Sequence, residues 1–299
     1  MRQNAKHGLG HAFIALMVVS LAMLLAPLSA VAEPPDVSAD QEAPAGQDTA
    51  SESTQANNGF DLTRPQTAIE VRGLDQTSSN NTSKTNKAEI LLRVDTKIPL
   101  DADWRLGVLA QVPLVQKTTT DFEPASVDHD FGLGDAVFQA FVAHDLNERW
   151  AFGVGARVSA QTGADSLGSG EWQVMPGFGL RYMLLELGQD SYFVLTIRYA
   201  LSVSGNPGAR RISEPQIAPT LNIDLPGPWF ITLYPSHDIR INFGTPIAGQ
   251  TGRLFLPFDA LIGARLSDKV QLSLEGSVPI VKDYPVYNFK AEARLRIVF

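Results

Sequence analysis

Cysteine is absent from this chain of 299 residues, and histidine is scarce, with five residues in all. The lack of cysteine excludes disulfide bonds, thiolate metal ligands and a cysteine nucleophile. Basic residues are fewer than acidic ones, 24 against 32, which gives a formal net charge of −8. This balance is unfavourable for binding nucleic acid, so we exclude that class of partner.

The first 32 residues have the features of an export signal. Arg2 and Lys6 provide the positive end, residues 12–26 form an apolar stretch, and residues 30–32 (Ala-Val-Ala) offer a signal-peptidase site. The apolar stretch is short for a spanning helix, which needs about 20 residues, and a single membrane anchor is the alternative. We predict a cleaved signal peptide over residues 1–32 and export through the inner membrane.

An acidic segment follows at residues 33–59, with six carboxylates, no lysine or arginine, and few large apolar side chains. A segment of this composition buries too little apolar surface to offset the entropy that it loses on ordering. We predict a disordered periplasmic linker, and a plug or a partner-binding tail is the alternative. Loss of the signal peptide, with Arg2 and Lys6, leaves 22 basic and 32 acidic residues.

From residue 60 to residue 299, apolar and polar residues alternate with period two. In the C-terminal stretch KAEARLRIVF (290–299), apolar residues occupy the odd positions from 291 onward, and charged residues occupy most of the even ones. Successive side chains of a β-strand point to opposite faces, so such segments are strands with one apolar and one polar face. We therefore predict an all-β domain over residues 60–299.

Turn signals divide this domain into about twelve strands. We place them near 62–73, 87–99, 104–115, 134–145, 149–162, 171–186, 191–203, 212–225, 229–243, 253–266, 269–281 and 286–299. Strands of soluble sheets usually have about 5 or 6 residues, whereas a strand that crosses a membrane needs about 9 to 11. The predicted lengths favour a transmembrane sheet over a soluble β-sandwich, which is the alternative fold.

The connections indicate an antiparallel transmembrane β-barrel. Those after even-numbered strands are short, such as NER (147–149), whereas two after odd-numbered strands, 75–86 and 116–132, are long and polar. Outer-membrane barrels have this asymmetry, with short periplasmic turns and longer external loops. An interfacial aromatic girdle beside the short turns would consist of Trp104, Trp150, Tyr192 and Trp229.

Lipid does not tolerate an open sheet edge, so the last strand must pair with the first. Phe299 then lies on the lipid face at the periplasmic rim. A final aromatic residue resembles the C-terminal signal by which the barrel-assembly machinery of Gram-negative bacteria recognises its substrates. We therefore predict a location in the outer membrane.

Two stretches resemble a known family. FGLGDAVFQAFVAHDL (131–146) is similar to the "GLGD" strand of an outer-membrane family associated with the meta-pathway of phenol degradation, and TGADSLGSGEWQVMPGFGLRYML (162–184) is similar to a loop and strand of the same family. The likeness extends from about residue 86 to residue 299. The resemblance implies a β-barrel and, for some members, uptake of hydrophobic or aromatic compounds, and it implies no catalytic residues.

Only three histidines follow the predicted signal peptide, so there are few candidates for catalysis. His144 falls on the lipid-facing phase, and His129 falls in an external loop, where we interpret it as solvated. In YPSHDIR, a proline indicates a bulge. If the bulge turned His237 inward, Ser236, His237 and Asp238 would supply the atoms of a hydrolase triad. Adjacent residues of one strand rarely place a nucleophile against its base, so we predict no enzyme, no metal and no cofactor.

Charged residues on the inward phase are the strongest indication of function. Unpaired charges are costly to bury, so we expect ion pairs across the lumen. The inward set consists of Arg93, Asp95, Lys97, Arg105, Arg157, Glu171, Arg181, Arg198, Asp238, Arg240, Asp259, Arg265, Glu275, Lys290, Glu292 and Arg294. The lumen is either a narrow or gated pathway for small solutes, which we favour, or packed shut by the same network.

These features together predict a porin-like outer-membrane channel for passive uptake of small, hydrophobic or aromatic solutes. The expected partners are outer-membrane lipid, the assembly machinery and a small-molecule solute. One alternative is a structural or adhesive barrel that acts through its external loops, and another is an outer-membrane lipid hydrolase.

Overall fold

The computed structural model describes residues 57–164 and 166–299. The predicted signal peptide, and residues 33–56 of the predicted linker, lie outside the described residues. Within them the chain forms fourteen β-strands: β1 (Ala68–Ser79), β2 (Ser83–Pro99), β3 (Trp104–Phe122), β4 (Ala125–Leu133), β5 (Val137–Asp145), β6 (Trp150–Ser159), β7 (Glu171–Met183), β8 (Tyr192–Gly205), β9 (Ser213–Asp224), β10 (Trp229–Leu233), β11 (Ile239–Ile241), β12 (Leu254–Arg265), β13 (Val270–Lys282) and β14 (Phe289–Val298). This part of the chain contains no helix with the length and hydropathy needed to cross a membrane.

The strands form one closed antiparallel sheet, because β1 pairs with both β2 and β14. Two strands of the barrel are interrupted. β4 and β5 pair with successive parts of β3, and β10 and β11 each pair with β9 and β12. With each interrupted pair counted as one strand, the barrel has twelve strands, as the sequence predicts.

Alternation along the strands places charges inside the barrel and apolar side chains outside it. In β14, Lys290, Glu292, Arg294 and Arg296 are buried, whereas the residues between them are half-buried or exposed. Over the described residues, buried polar side chains outnumber buried apolar ones, and large apolar side chains are exposed around the exterior. A soluble sandwich has an apolar interior, so this inverted arrangement is that of a transmembrane barrel.

The first strand begins later than predicted. We expected a strand near 62–73, but β1 begins at Ala68. Asp61 Oδ1 accepts hydrogen bonds from the backbone nitrogen and the hydroxyl of Thr63, at 2.9 and 2.6 Å, and Pro65 has no N–H to offer a sheet. A local turn therefore replaces strand pairing at this point.

The two connections predicted as long loops, 75–86 and 116–132, are mostly strand. β1 and β2 remain paired up to Ser79, and β3 and β4 remain paired up to Phe122. Threonines pair across these strands, as Thr85 does with Thr119. Threonine is β-branched and fits a pleated surface, so these polar runs extend the strands instead of forming loops.

One end of the barrel, the short-turn end, carries the connections at 100–103, 146–149, 184–191, 225–228 and 266–269. The opposite end is called the hairpin end. Three of the predicted girdle residues are exposed at the short-turn end: Trp104, Trp150 and Trp229. The prediction for Tyr192 was wrong, because its side chain is buried in the lumen and the next residue, Phe193, takes the outward position. Phe299 lies outside and is 70% exposed.

Candidate functional site

Residues 57–66, here called the lumen segment, lie inside the barrel. The segment folds on itself, since Asn57 Nδ2 donates to the carbonyl oxygens of Asp61 and Arg64 at 3.1 and 2.8 Å. Asn57, Asp61 and Thr63 are each at most 5% exposed. Local hydrogen bonds satisfy these buried polar groups, so the segment can enter the lumen without joining the sheet.

Asn58 attaches the lumen segment to the wall near the short-turn end. Its Nδ2 donates to Asn222 Oδ1 at 2.8 Å, and its Oδ1 accepts from the hydroxyl of Tyr192 at 2.6 Å. Asn222 in turn accepts a hydrogen bond from Thr232 Oγ1 at 2.8 Å. The inward position of Tyr192, which the sequence did not predict, is therefore explained by this hydrogen bond to Asn58.

Ion pairs also hold the lumen segment. Asp61 Oδ2 accepts from Arg64 Nε at 2.9 Å and from Arg181 Nη1 at 3.3 Å, and Arg64 Nη1 lies 3.2 Å from Asp190 Oδ1. Burial raises the pKa of Asp61, but the guanidinium groups of Arg181 and Arg64 lower it by more, so this pKa lies below its ordinary value of 3.8. Asp61 is therefore charged at neutral pH, and both of its ion pairs persist.

Inward-facing glycines make room for bulky groups in this half of the lumen. The ring of Phe141, on β5, lies over Gly155 of the neighbouring strand β6. A Cβ added to Gly155 would be only 2.6 Å from this ring, so a larger residue would not fit there. Pro65 of the lumen segment packs over Gly107, where a Cβ would be 2.9 Å from the Pro65 Cβ. A cavity between the segment and the wall measures about 30 Å³. The segment therefore fits closely against the barrel.

A cavity of about 440 Å³ lies on the other side of the lumen segment. Gly59, Phe60 and Leu62 contribute its floor, and Lys87 and Val286 line it near the hairpin end. Seven basic residues line it, against three acidic ones: Arg72, Lys87, Arg93, Arg157, Arg198, Arg240 and Lys290, against Glu89, Asp238 and Glu292. The cavity is therefore basic in a protein whose net charge is negative.

Ion pairs neutralise the wall formed by β1, β2, β13 and β14. Lys290 Nζ lies 2.6 Å from Asp238 and 2.5 Å from Glu275, and Arg294 also pairs with Glu275. Further pairs on this wall are Arg93–Asp95, Arg296–Asp95, Arg296–Glu70, Arg72–Glu70 and Arg294–Glu292. Removing one partner of a buried pair leaves an uncompensated charge, which costs about 3–5 kcal/mol.

The opposite wall differs, because Arg157 and Arg198 have no ion-pair partner among the described residues. Their Nε atoms donate to neutral amides instead, Arg157 to Gln139 Oε1 at 3.2 Å and Arg198 to Gln216 Oε1 at 2.6 Å. An amide orients a guanidinium group but does not neutralise it. This wall therefore presents two positive charges to the cavity.

The break between β10 and β11 turns its residues into the lumen. Tyr234 has a positive φ of 51°, and Pro235 follows it, so the ladder is interrupted. His237 lines the cavity, and its Nε2 is buried without a hydrogen-bond partner in the part of the chain that the structure describes. Ser236 Oγ donates to Glu275 Oε1 at 3.0 Å. The bulge does turn His237 inward, but Ser236 contacts a carboxylate instead of this imidazole.

Neither of the other two histidines in the described part of the chain lines the cavity. His129 is on β4 and not in a loop, and its Nδ1 is 3.0 Å from Thr118 Oγ1. His144 is outside the barrel, with its ring stacked 4.3 Å from that of Trp104. Within residues 57–164 and 166–299, no group of three or more His, Asp or Glu residues could hold a metal ion.

The structure places the predicted inward residues as follows. Ten are buried: Arg93, Asp95, Glu171, Arg181, Asp238, Asp259, Glu275, Lys290, Glu292 and Arg294. Three others line the cavity: Arg157, Arg198 and Arg240. Arg105 pairs with Asp145, and Arg265 pairs with Asp224 at 2.7 Å. Lys97 is half-buried beside Thr67, and the backbone nitrogen of Lys97 donates a hydrogen bond to Thr67 Oγ1 at 3.3 Å.

Sequence reasoning missed other charged residues of the lumen. Glu70 and Arg72 follow the alternation of β1 and lay within the predicted first strand, near 62–73, so both could have been included in the set. Arg296 shares the phase of Arg294 and could have been included. Asp61 and Arg64 have no periodic signal, because the lumen segment is a turn and not a strand.

Comparison with known proteins identifies the fold. The family model described as "Putative MetA-pathway of phenol degradation" matches residues 72–230, more than half of the chain. An outer membrane channel from Pseudomonas putida F1 is similar over 83% of this chain and 98% of its own, with a TM-score of 0.63 and 18% identity. The transport unit of the autotransporter AIDA-I from Escherichia coli is similar over 80% and 91%, with a TM-score of 0.51 and 8% identity. No curated protein sequence matches the chain.

Proposed function

Because this chain belongs to the MetA-pathway of phenol degradation family and has the fold of outer-membrane barrels, we propose that it is an outer-membrane channel for passive diffusion of small solutes. The basic cavity of about 440 Å³ inside the closed barrel carries this proposal. Sites for small molecules have volumes of about 300–1,000 Å³, so the cavity is large enough to hold one.

The lumen segment is the barrier in the proposed pathway. It lies between the cavity and the short-turn end, where Asn58, Asp61 and Arg64 attach it to the wall. A hydrogen bond contributes only about 0.5–1.5 kcal/mol net, and somewhat more when one group is charged. The ladders of the barrel do not include the segment. Its displacement therefore opens the pathway without unfolding the barrel.

The lining of the cavity favours particular solutes. Basic side chains outnumber acidic ones, so anions are attracted. Phe60, Leu62 and Leu109 add apolar surface to the same cavity. Small solutes that combine negative charge with an aromatic or aliphatic part match this lining, and their passage requires no covalent chemistry.

Planar-bilayer conductance and liposome swelling with the protein purified from membranes test the channel. Asp61→Asn removes the carboxylate shared by Arg64 and Arg181, so we expect longer or larger openings than in the wild type. Asp268→Asn, in an exposed turn, is the matched control and should behave like the wild type. If neither the wild type nor Asp61→Asn conducts ions or passes solute, the protein is not a channel.

Binding of an external partner is a second candidate role. The tip of the β3–β4 hairpin exposes Phe122 and Val127 by 47% and 56%, and exposed apolar groups often mark interaction surfaces. Replacing residues 118–129 by Asn-Gly would shorten this hairpin while keeping a turn that suits paired strands. Loss of surface binding with unchanged permeability would assign the role to the hairpin.

A further inference from the structure

Arg157 and Arg198 face one part of the cavity from two nearby strands. They lie on β6 and β8, and β7 runs between them, with Met175 opposite Arg157 and Gly177 opposite Arg198. Gly177 has no side chain, and a Cβ added there would lie 3.1 Å from the Cβ of Arg198. The space between the two arginines is therefore not filled by β7 at this position.

Neither guanidinium group has a carboxylate at ion-pair distance among the described residues. The lumen arginines of the other wall have carboxylates close by, for example Arg93 at 2.9 Å and Arg296 at 2.7 Å from Asp95. For Arg157 and Arg198, the groups that fix the Nε atoms are neutral amides. Partly buried cations without a directly paired carboxylate are unfavourable, so an anion from solution would be stabilised between them.

His237 adds a third polar group to the same place. It borders both the cavity and a recess that Arg157 and Arg198 also line. Its Nε2 has no hydrogen-bond partner within the described residues. An imidazole nitrogen that carries a proton can donate to an anion, and a buried nitrogen without a partner is a polar group still to be satisfied.

The recess next to these groups is apolar. Leu62, Phe141 and Met175 line it, and its volume is about 20 Å³, so it receives the edge of a molecule whose remainder occupies the larger cavity. An inorganic anion would leave this apolar surface unused. A ligand with a negative group and an apolar body would contact both kinds of surface.

We propose that Arg157, Arg198 and His237 bind the carboxylate of small organic acids, whose apolar part packs into the adjoining recess. Arginine binds carboxylates through paired N–H donors, which suits two guanidinium groups beside one cavity. The assignment of these acids as permeating solutes rests on the proposed channel function, whereas the binding site itself does not.

Calorimetric titration of the full protein in detergent tests the site, with benzoate as the probe. Benzoate should bind about tenfold more tightly than benzyl alcohol. Benzyl alcohol has no carboxylate, so it cannot form the charged hydrogen bonds with the arginines that benzoate forms. It should also bind more tightly than chloride or inorganic phosphate, which have no apolar part, and than acetate, whose single methyl group buries less apolar surface than a ring. Equal affinity for benzoate and benzyl alcohol would overturn the carboxylate site, and equal affinity for benzoate and acetate would overturn the role of the recess.

Substitutions locate the site. Arg157→Gln and Arg198→Gln should each weaken benzoate binding about tenfold and leave benzyl alcohol binding nearly unchanged. Arg157→Lys keeps a positive charge and should retain part of the affinity. Arg149→Gln is the control, because Arg149 lies in a turn at the short-turn end and pairs with Glu186 at 2.6 Å. Wild-type affinity in both glutamine variants would overturn the assignment, and if they fail to fold, the wild-type probe series decides it.

Conductance of the same preparations separates this proposal from the channel function. Preferential benzoate binding by a protein that never conducts would support the site and refute the channel. Conductance without preferential benzoate binding would refute the site and leave the channel in place.

Discussion

Among the described glycines, Gly155 is the one at which an added Cβ would make the shortest contact. A Cβ there would lie 2.1 Å from the carbonyl oxygen of Ala140 and 2.6 Å from the ring of Phe141. Gly276 on β13 offers the opposite case, because a Cβ at that position has no atom within 4 Å. Both glycines occur in strands, but only Gly155 is required by packing.

Gly155→Ala should lower the free energy of unfolding by about 1–3 kcal/mol, because β5 or Phe141 must shift. Gly276→Ala should leave it unchanged or raise it by about 0.5–1 kcal/mol, since alanine loses less backbone entropy on folding. Urea unfolding of the refolded barrel, followed by tryptophan fluorescence, measures both. Equal effects of the two substitutions would contradict the close packing at Gly155.

The lowered pKa of Asp61 leads us to expect that the lumen segment is released only at acidic pH. Its pKa is lowered from 3.8 in the folded protein, so its contribution to docking is complete above that value and declines as the pH falls through the lowered pKa. Conductance should therefore rise only below about pH 4, and Asp61→Asn should remove this part of the response. Bilayer recordings at stepwise lower pH measure it. An Asp61-dependent rise already near pH 6 would contradict the direction of the pKa shift.

The C-terminal strand β14 is the element that closes the barrel. It pairs with β1 along Ala68–Thr77 and with β13 along Val270–Ser277. The Phe299 side chain adds little to this closure, because its ring is 70% exposed, whereas its backbone nitrogen donates to the carbonyl oxygen of Thr67 at 3.0 Å whatever the side chain is. A role of the Phe299 side chain in assembly can therefore be separated from a role in stability.

Phe299→Ala should reduce the amount of folded barrel in outer membranes and leave the stability of protein refolded in vitro almost unchanged. Phe289→Ala, also outward-facing on β14 and 46% exposed, is the matched control. Folded and heat-unfolded barrels migrate differently in gel electrophoresis, so the electrophoretic mobility of the protein in unheated membrane fractions measures assembly. Urea unfolding measures stability. The prediction fails if both substitutions reduce assembly equally or if Phe299→Ala mainly lowers stability.

The whole molecule separates its charges in space. The chain has a net charge of −8, yet basic side chains predominate around the cavity. Ion pairs neutralise the wall of β1, β2, β13 and β14, whereas the arginines of β6 and β8 face the cavity with neutral amides as the partners of their Nε atoms. Net charge alone would have suggested that cations are preferred.

The proposed channel should select anions over cations. The reversal potential in a potassium chloride gradient should correspond to a chloride permeability greater than that of potassium, because the basic lining raises the local anion concentration. The double variant Arg157→Gln/Arg198→Gln should bring the two permeabilities closer together. A wild-type channel that prefers potassium would show that the cavity charges do not control permeation.

The inward position of Arg157 and Arg198 could be predicted from alternation, but their lack of ion-pair partners could not. Whether a lumen charge is paired depends on residues far apart in sequence, such as Asp95 and Arg296, which are separated by 201 positions. The partners are set by strand register and by the curvature of the closed sheet. The lumen segment was missed for a related reason, because a turn has no period.

The sequence by itself determined the twelve-stranded barrel and its inside-out alternation, since each strand meets a different solvent on each face and this requirement acts on every second residue. The tertiary structure alone decided that residues 57–66 occupy the short-turn half of the lumen and that a basic cavity remains beyond them. Those features depend on contacts across the barrel, such as that of Asp61 with Arg181 at a separation of 120 positions, which local periodicity does not encode.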